Sequence, residues 1–161
     1  MIDGKAADAI TDSEKRKLFG YVEQSFHMVP GTVKDQITLY DEMITMEDVR
    51  EAAEALYSQG VKVVAVTLGG EGAYLYGKDG GCMVPGFAVK QIADTNGAGD
   101  SFWGGFLYKV STAEKHLDEL TQEDLKEFAR FGNAVASLCV EKKGAIPAMP
   151  ELAQVERRIA K

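Results

Sequence analysis

The run Asp94-Thr95-Asn96-Gly97-Ala98-Gly99-Asp100-Ser101-Phe102 holds the residues best suited to chemistry in this chain. Gly97, Ala98 and Gly99 lie between aspartates 94 and 100, and an apolar run starts at Phe102. Small residues let backbone N–H groups approach a ligand closely. A helix starting near Gly97 would point those groups outward at its positive end, which is an anion site. Asp100 would then place a carboxylate beside a bound phosphate. That arrangement is repulsive unless the carboxylate takes a proton from an attacking hydroxyl. The competing reading is an Asn-Gly turn followed by an Asp-capped helix.

The elements that must position this run follow from the apolar pattern. Thr45 precedes a helical stretch with Val49, Ala52, Ala53, Leu56 and Tyr57 on one face and Gly60 at its stop. Val61 to Val66 is near-continuously apolar, as in a parallel strand covered on both faces. Ala73–Tyr76 and Cys82–Val84 flank Lys78-Asp79-Gly80-Gly81, which predicts a hairpin with an Asp-Gly turn. Ala88 to Ile92 is a further extended segment leading into the aspartate run. Helices are predicted over 97–110, 121–140 and 150–160, the second with Thr121 and Asp124 as a capping box. Nearer the start, Phe19–Val22 reads as a strand, Pro30-Gly31 as a loop and Thr32–Leu39 as a short helix. The fold class is α/β: a three-layer, mainly parallel sheet with flanking helices.

Composition bounds the rest. The 161 residues are 45% hydrophobic and 27% charged, which suits one domain over residues 1–161. A net charge of −7 argues against a nucleic-acid partner. No stretch is long and apolar enough for a membrane segment, and no secretory signal opens the chain. Cys82 and Cys139 lack metal-ligand spacing and read as reduced thiols of a cytoplasmic protein. Gly77-Lys78 has neither the upstream glycine nor the following Ser or Thr of a P-loop. Tyr74 and Tyr76 read as hairpin packing, Trp103 as core or a subunit contact, and 118–124 as a solvated acidic loop and helix start.

The 94–102 run resembles the D-T-x-G-A-G-D-x-F signature of ribokinase-like (PfkB) carbohydrate kinases. Two flanking stretches agree: Thr67-Leu68-Gly69-Gly70-Glu71-Gly72 after the apolar strand, and Phe131-Gly132-Asn133-Ala134 with Lys143-Gly144-Ala145 near the end. The resemblance covers about residues 54–161 and implies a fructokinase-like enzyme using ATP and Mg²⁺. By that resemblance Asp100 is the catalytic base, and the amides of Gly97, Ala98 and Gly99 form the anion hole. Thr67, Leu68, Gly69, Gly72, Gly99 and Asn133 line the nucleotide, with Asn133 beside the adenine. Asp94, Asn96 and carbonyls near Cys139, Lys142 and Gly144 match a site for a monovalent cation such as K⁺. Ala148 stands where some members carry a Ser ligand.

Residues 1–53 resemble another family. Ile2-Asp3-Gly4, Phe19 to Gln24 and Gly31 to Ile37 look like the Q-loop region of an ABC transporter ATPase domain, with Gln24 as the Q-loop glutamine. The Walker A lysine, the L-S-G-G-Q signature and the Walker B acid of that family are absent from this sequence. Two readings follow: a composite chain joined near Ala52–Ala55, or a divergent kinase half. They leave two functions open, an ATP-dependent sugar kinase or a non-catalytic domain that binds nucleotide. The sugar-holding half of the kinase family is not found in this sequence. The chain alone is therefore expected to bind nucleotide without sugar-dependent turnover, and to form a homo-oligomer through the sheet edge at Phe19–Val22.

Overall fold

The computed structural model of the chain describes residues 45–160. The expected strand at 19–22, the helix at 32–39, Gln24 and the proposed dimer edge lie outside those residues.

Helix α1 (Met46–Ser58) begins where Thr45 caps it. The Thr45 hydroxyl accepts the Asp48 N–H, and the Asp48 carboxylate accepts the Thr45 N–H. The chain then enters strand β1 (Val64–Thr67), a short 3₁₀ turn (Gly69–Glu71), strand β2 (Gly72–Gly77) and strand β3 (Gly80–Pro85). The three strands form one sheet in the order β1-β2-β3, and both pairings are antiparallel. Among the described residues the 61–66 run thus pairs antiparallel and not parallel as expected. Only the 3₁₀ turn and Leu68 separate β1 from β2, whereas a parallel crossover needs a dozen or more residues. Thr67 therefore faces Ala73 and Val64 faces Tyr76.

The hairpin lies where expected, although its two-residue connection is Lys78-Asp79, with Gly77 paired to Gly80. Asp79 is tied elsewhere. Its carboxylate accepts the Gln122 N–H at 2.9 Å, and the Lys78 ammonium donates to the Glu119 carbonyl at 2.6 Å. The hairpin tip is thus held to the start of the next long helix.

Side-chain alternation along β2 builds two layers. Ala73 and Leu75 face a core with Phe102, Phe106, Leu125 and Phe128. Tyr74 faces the other way, onto Ala53 of α1, Val64 and Leu68. Tyr57 of α1 meets Tyr76 with ring centroids 5.4 Å apart. Tyr74 and Tyr76 are therefore hairpin packing, as expected. Helices cover both faces of the sheet, so the α/β class and the three-layer arrangement hold while the described strands are antiparallel.

Helix α2 (Ala98–Thr112) and helix α3 (Gln122–Cys139) pack against each other, and helix α4 (Leu152–Ile159) closes on α3 through Val155. The α2–α3 contact is close because Gly132 faces Phe102. A methyl group on Gly132 would lie 2.8 Å from the Phe102 carbonyl oxygen and 2.9 Å from its ring. Residues 86–97 between β3 and α2 are irregular, which corrects the extended segment expected at Ala88–Ile92. Ile92 is 62% exposed, and no described strand pairs with this segment.

Thr121 caps α3 in the expected box with Asp124. The Lys115 ammonium, 2.8 Å from both Asp124 oxygens, and the Thr121 N–H and hydroxyl hold that carboxyl down to about 2. An unfolded Asp titrates near ~3.9, so the folded form binds this proton more weakly than the unfolded chain. Its stabilising contribution is complete above about pH 5 and is lost as pH falls from about 4 to 2. Urea midpoints should fall over that range, and Asp124→Asn should flatten the fall. An unchanged acid limb in the variant would contradict the pairing.

Candidate nucleotide site

Helix α2 owes its position to its own apolar face. Phe102 and Phe106 are buried against the sheet and α3, so the first turn is presented by a rigid element. The chain enters that turn through Gly97, at φ +76° and ψ 5°. This left-handed geometry is open to glycine at little cost. The Gly97 Cα lies against the loop after α3: a methyl group there would sit 2.5 Å from the Ala145 Cβ.

The first turn leaves donors free. The Ala98 N–H reaches the Thr95 carbonyl at 3.2 Å, and the Ser101 N–H reaches the Gly97 carbonyl at 2.8 Å. No side chain caps the helix. Among the described residues, the N–H groups of Gly97, Gly99 and Asp100 have no acceptor. Among the described residues nothing lies within 4 Å of the position a Gly99 Cβ would take, so this side of the turn is open there. Asp100 is exposed in the same turn. Free amides, a positive helix end and an open approach fit a phosphate group, with one carboxylate beside it.

The Thr67–Gly72 stretch leaves β1 and turns back into β2. Leu68 is buried, and its N–H donates to the Gly72 carbonyl at 2.8 Å. The Gly86 N–H donates to the Glu71 carbonyl at 3.1 Å, which binds this turn to the end of β3. Leu68 therefore belongs to the core beneath the turn, and Thr67 closes β1. Gly69 and Gly72 give the turn its shape.

Asn133 ties two elements together. It is buried in α3, and its amide nitrogen donates to the Val84 and Pro85 carbonyls, both at 3.1 Å. Both amide hydrogens are used in tying α3 to β3.

The two loops expected to hold a cation do meet. Asp94 accepts the Asn96 N–H at 3.0 Å and the Gly144 N–H at 2.9 Å. These donors, Asn96 first, keep the Asp94 carboxyl below the usual carboxylate range. The Cys139 carbonyl accepts the Lys142 N–H at 3.1 Å, and the Cys139 side chain is buried. Ala148 is a buried methyl group and offers no ligand atom. The carbonyls of Asn96, Lys142 and Gly144 accept no hydrogen bond among the described residues. Carbonyl oxygens of this kind suit a monovalent cation. Among the described residues no three His, Cys, Asp or Glu side chains cluster to hold a metal.

The sequence missed the backbone part of this junction. The Val140 carbonyl accepts the N–H groups of Ala93 at 2.8 Å and Asp94 at 3.3 Å. Backbone groups carry no residue-type signal; the Lys143-Gly144-Ala145 turn was the nearest clue. No helix among the described residues is long and apolar enough to cross a membrane.

Comparison with known proteins identifies the family. The model of the pfkB family carbohydrate kinases matches residues 34–152. Fructokinase-2 of Zea mays is 40% identical over 107 residues, covering 66% of this chain and 31% of the maize protein. The structure of Arabidopsis thaliana ribokinase complexed with ribose and ATP superposes with a TM-score of 0.62 at 32% identity, over 73% of this chain and 35% of that one. Vibrio cholerae fructokinase, bound to fructose, ADP and calcium, gives a TM-score of 0.64 at 29% identity, over 78% of this chain and 38% of that one. The chain thus spans about a third of the length of the maize relative. The family match crosses the expected join at Ala52–Ala55 and reaches back to residue 34. Residues 34–53 are kinase-like, and the ABC transporter ATPase reading of the opening gains no support. The chain belongs to the pfkB family of carbohydrate kinases.

Proposed function

We propose that this chain supplies the nucleotide-binding and phosphoryl-transfer part of an ATP-dependent sugar kinase. The observation that carries this reading is the first turn of α2: amides at Gly97, Gly99 and Asp100 with no acceptor among the described residues, an open side at Gly99 and the exposed Asp100 carboxylate. The amides would take the γ-phosphate of ATP, with Mg²⁺ offsetting charge on the phosphates. Asp100 would accept the proton of the sugar hydroxyl as its oxygen bonds to phosphorus and ADP leaves. Fructose and ribose, bound by the Vibrio and Arabidopsis relatives, are the substrates to try first. K⁺ would sit on the carbonyls of Asn96, Lys142 and Gly144.

Because the chain spans about a third of the maize relative, sugar binding and turnover by a whole protein are part of this proposal. The same fact favours a second reading, a nucleotide-binding domain without turnover of its own. Nucleotide binding tests the feature common to both. ATP or ADP should bind with a Kd from tens of micromolar to about 1 mM, about −4 to −6 kcal/mol. No calorimetric heat with either at millimolar concentration would refute both readings. Asp100→Asn should tighten ATP binding about fivefold, since a unit charge pair a few ångströms apart is worth about 1 kcal/mol in a water-like medium. Unchanged or weaker binding in that variant would place Asp100 away from the phosphates. Sugar-dependent ATP turnover, abolished by the same substitution, would decide for the enzyme.

A further inference from the structure

We propose that Asp94 is a positioning residue for the phosphate cradle: its carboxylate ties the loop entering α2 to the loop leaving α3 and so fixes the first turn of α2. This rests on the reading of that turn as the phosphate site. The tie has one local and one distant arm. Oδ1 accepts the Asn96 N–H, two residues on, and Oδ2 accepts the Gly144 N–H, fifty residues on. Among the described residues the Gly144 N–H has no other acceptor.

The tie is placed to matter. The Ala93 and Asp94 N–H groups reach the Val140 carbonyl, and Gly97 packs on Ala145. The loop that carries the free amides is therefore held on one side by α3 and its exit. Within residues 86–97, Asp94 supplies the side-chain acceptor that spans the two loops. A carboxylate accepting N–H groups makes charge-assisted bonds, roughly twice as strong as neutral ones. Its shape is also specific. Asn has one acceptor oxygen and would turn an NH₂ toward one of the two donors. Glu is one methylene longer and does not fit the local arm to Asn96.

The test uses the full chain with Asp94→Asn and Asp94→Ala, at a temperature where each is more than about 99% folded by urea titration. Amide exchange is followed at Ser101, whose N–H bonds Gly97 in the first turn of α2, and at Leu125, whose N–H bonds Thr121 at the start of α3. Exchange at Ser101 and Gly144 should speed up at least tenfold in Asp94→Ala and less in Asp94→Asn, while Leu125 stays protected. ADP affinity should fall in the same order, about tenfold for Asp94→Ala, in choline chloride as well as in potassium chloride. Unchanged Ser101 exchange in both variants would overturn the inference, whether or not nucleotide binds. An affinity loss seen only in potassium chloride would overturn it in favour of a cation ligand. Failure of the unaltered chain to bind ADP would refute the phosphate-site reading, while the exchange arm would still decide whether Asp94 holds the turn.

Discussion

Gly72→Ala is expected to cost about 3–5 kcal/mol of stability, combining backbone strain and overpacking. Gly72 sits at φ +111° and ψ −130°, a region closed to side-chain-bearing residues. An added methyl group would also lie 2.5 Å from the Gly86 nitrogen and 2.7 Å from the Pro85 carbonyl carbon. Both obstacles are backbone, so no side chain can swing aside. The only relief is to open the β2–β3 pairing or the Gly86–Glu71 bond that holds the turn to the sheet. Urea unfolding of the variant measures the loss; a change below about 1 kcal/mol would show that the turn is held differently.

Gly97→Ala should lower stability by about 2–4 kcal/mol and weaken nucleotide binding by tenfold or more. The left-handed backbone costs an alanine about 1–2 kcal/mol, and the methyl group would press on Ala145 at 2.5 Å. Relief requires the α2 entry to move away from the loop after α3, which shifts the free amides. Gly99→Ala is the contrasting case. Its methyl group meets nothing among the described residues, and alanine is the better helix former, so stability should hold or rise by up to about 1 kcal/mol. Equal losses in both variants by urea titration would contradict the geometry assigned to Gly97.

The sequence announced what side-chain type controls. Thr45, and Thr121 with Asp124, signalled helix starts that the structure contains as reciprocal caps. Leu125, Phe128 and Ala129, at helical spacing within the expected 121–140 helix, form the buried face of α3. Small residues followed by Asp100 and Phe102 marked the start of α2. Strand direction was not legible. An apolar β-branched run such as 61–66 suits a parallel or an antiparallel partner, and the short turn at Leu68–Glu71 decided the matter. The role of Asn133 was hidden for a related reason, since its partners are two carbonyls that any residue could supply. The Asp94–Gly144 tie joins residues fifty apart through a backbone N–H, beyond any local pattern.

The central claim is that the first turn of α2 receives the phosphates of a nucleotide. Titration of the isotope-labelled chain with ADP, followed at each backbone amide, tests it most directly. The account predicts that the Gly97, Gly99 and Asp100 amides shift together, with one affinity matching calorimetry. It also predicts that inorganic phosphate moves the same three amides more weakly. Saturable shifts confined to other residues, with these three unmoved at millimolar ADP, would contradict it.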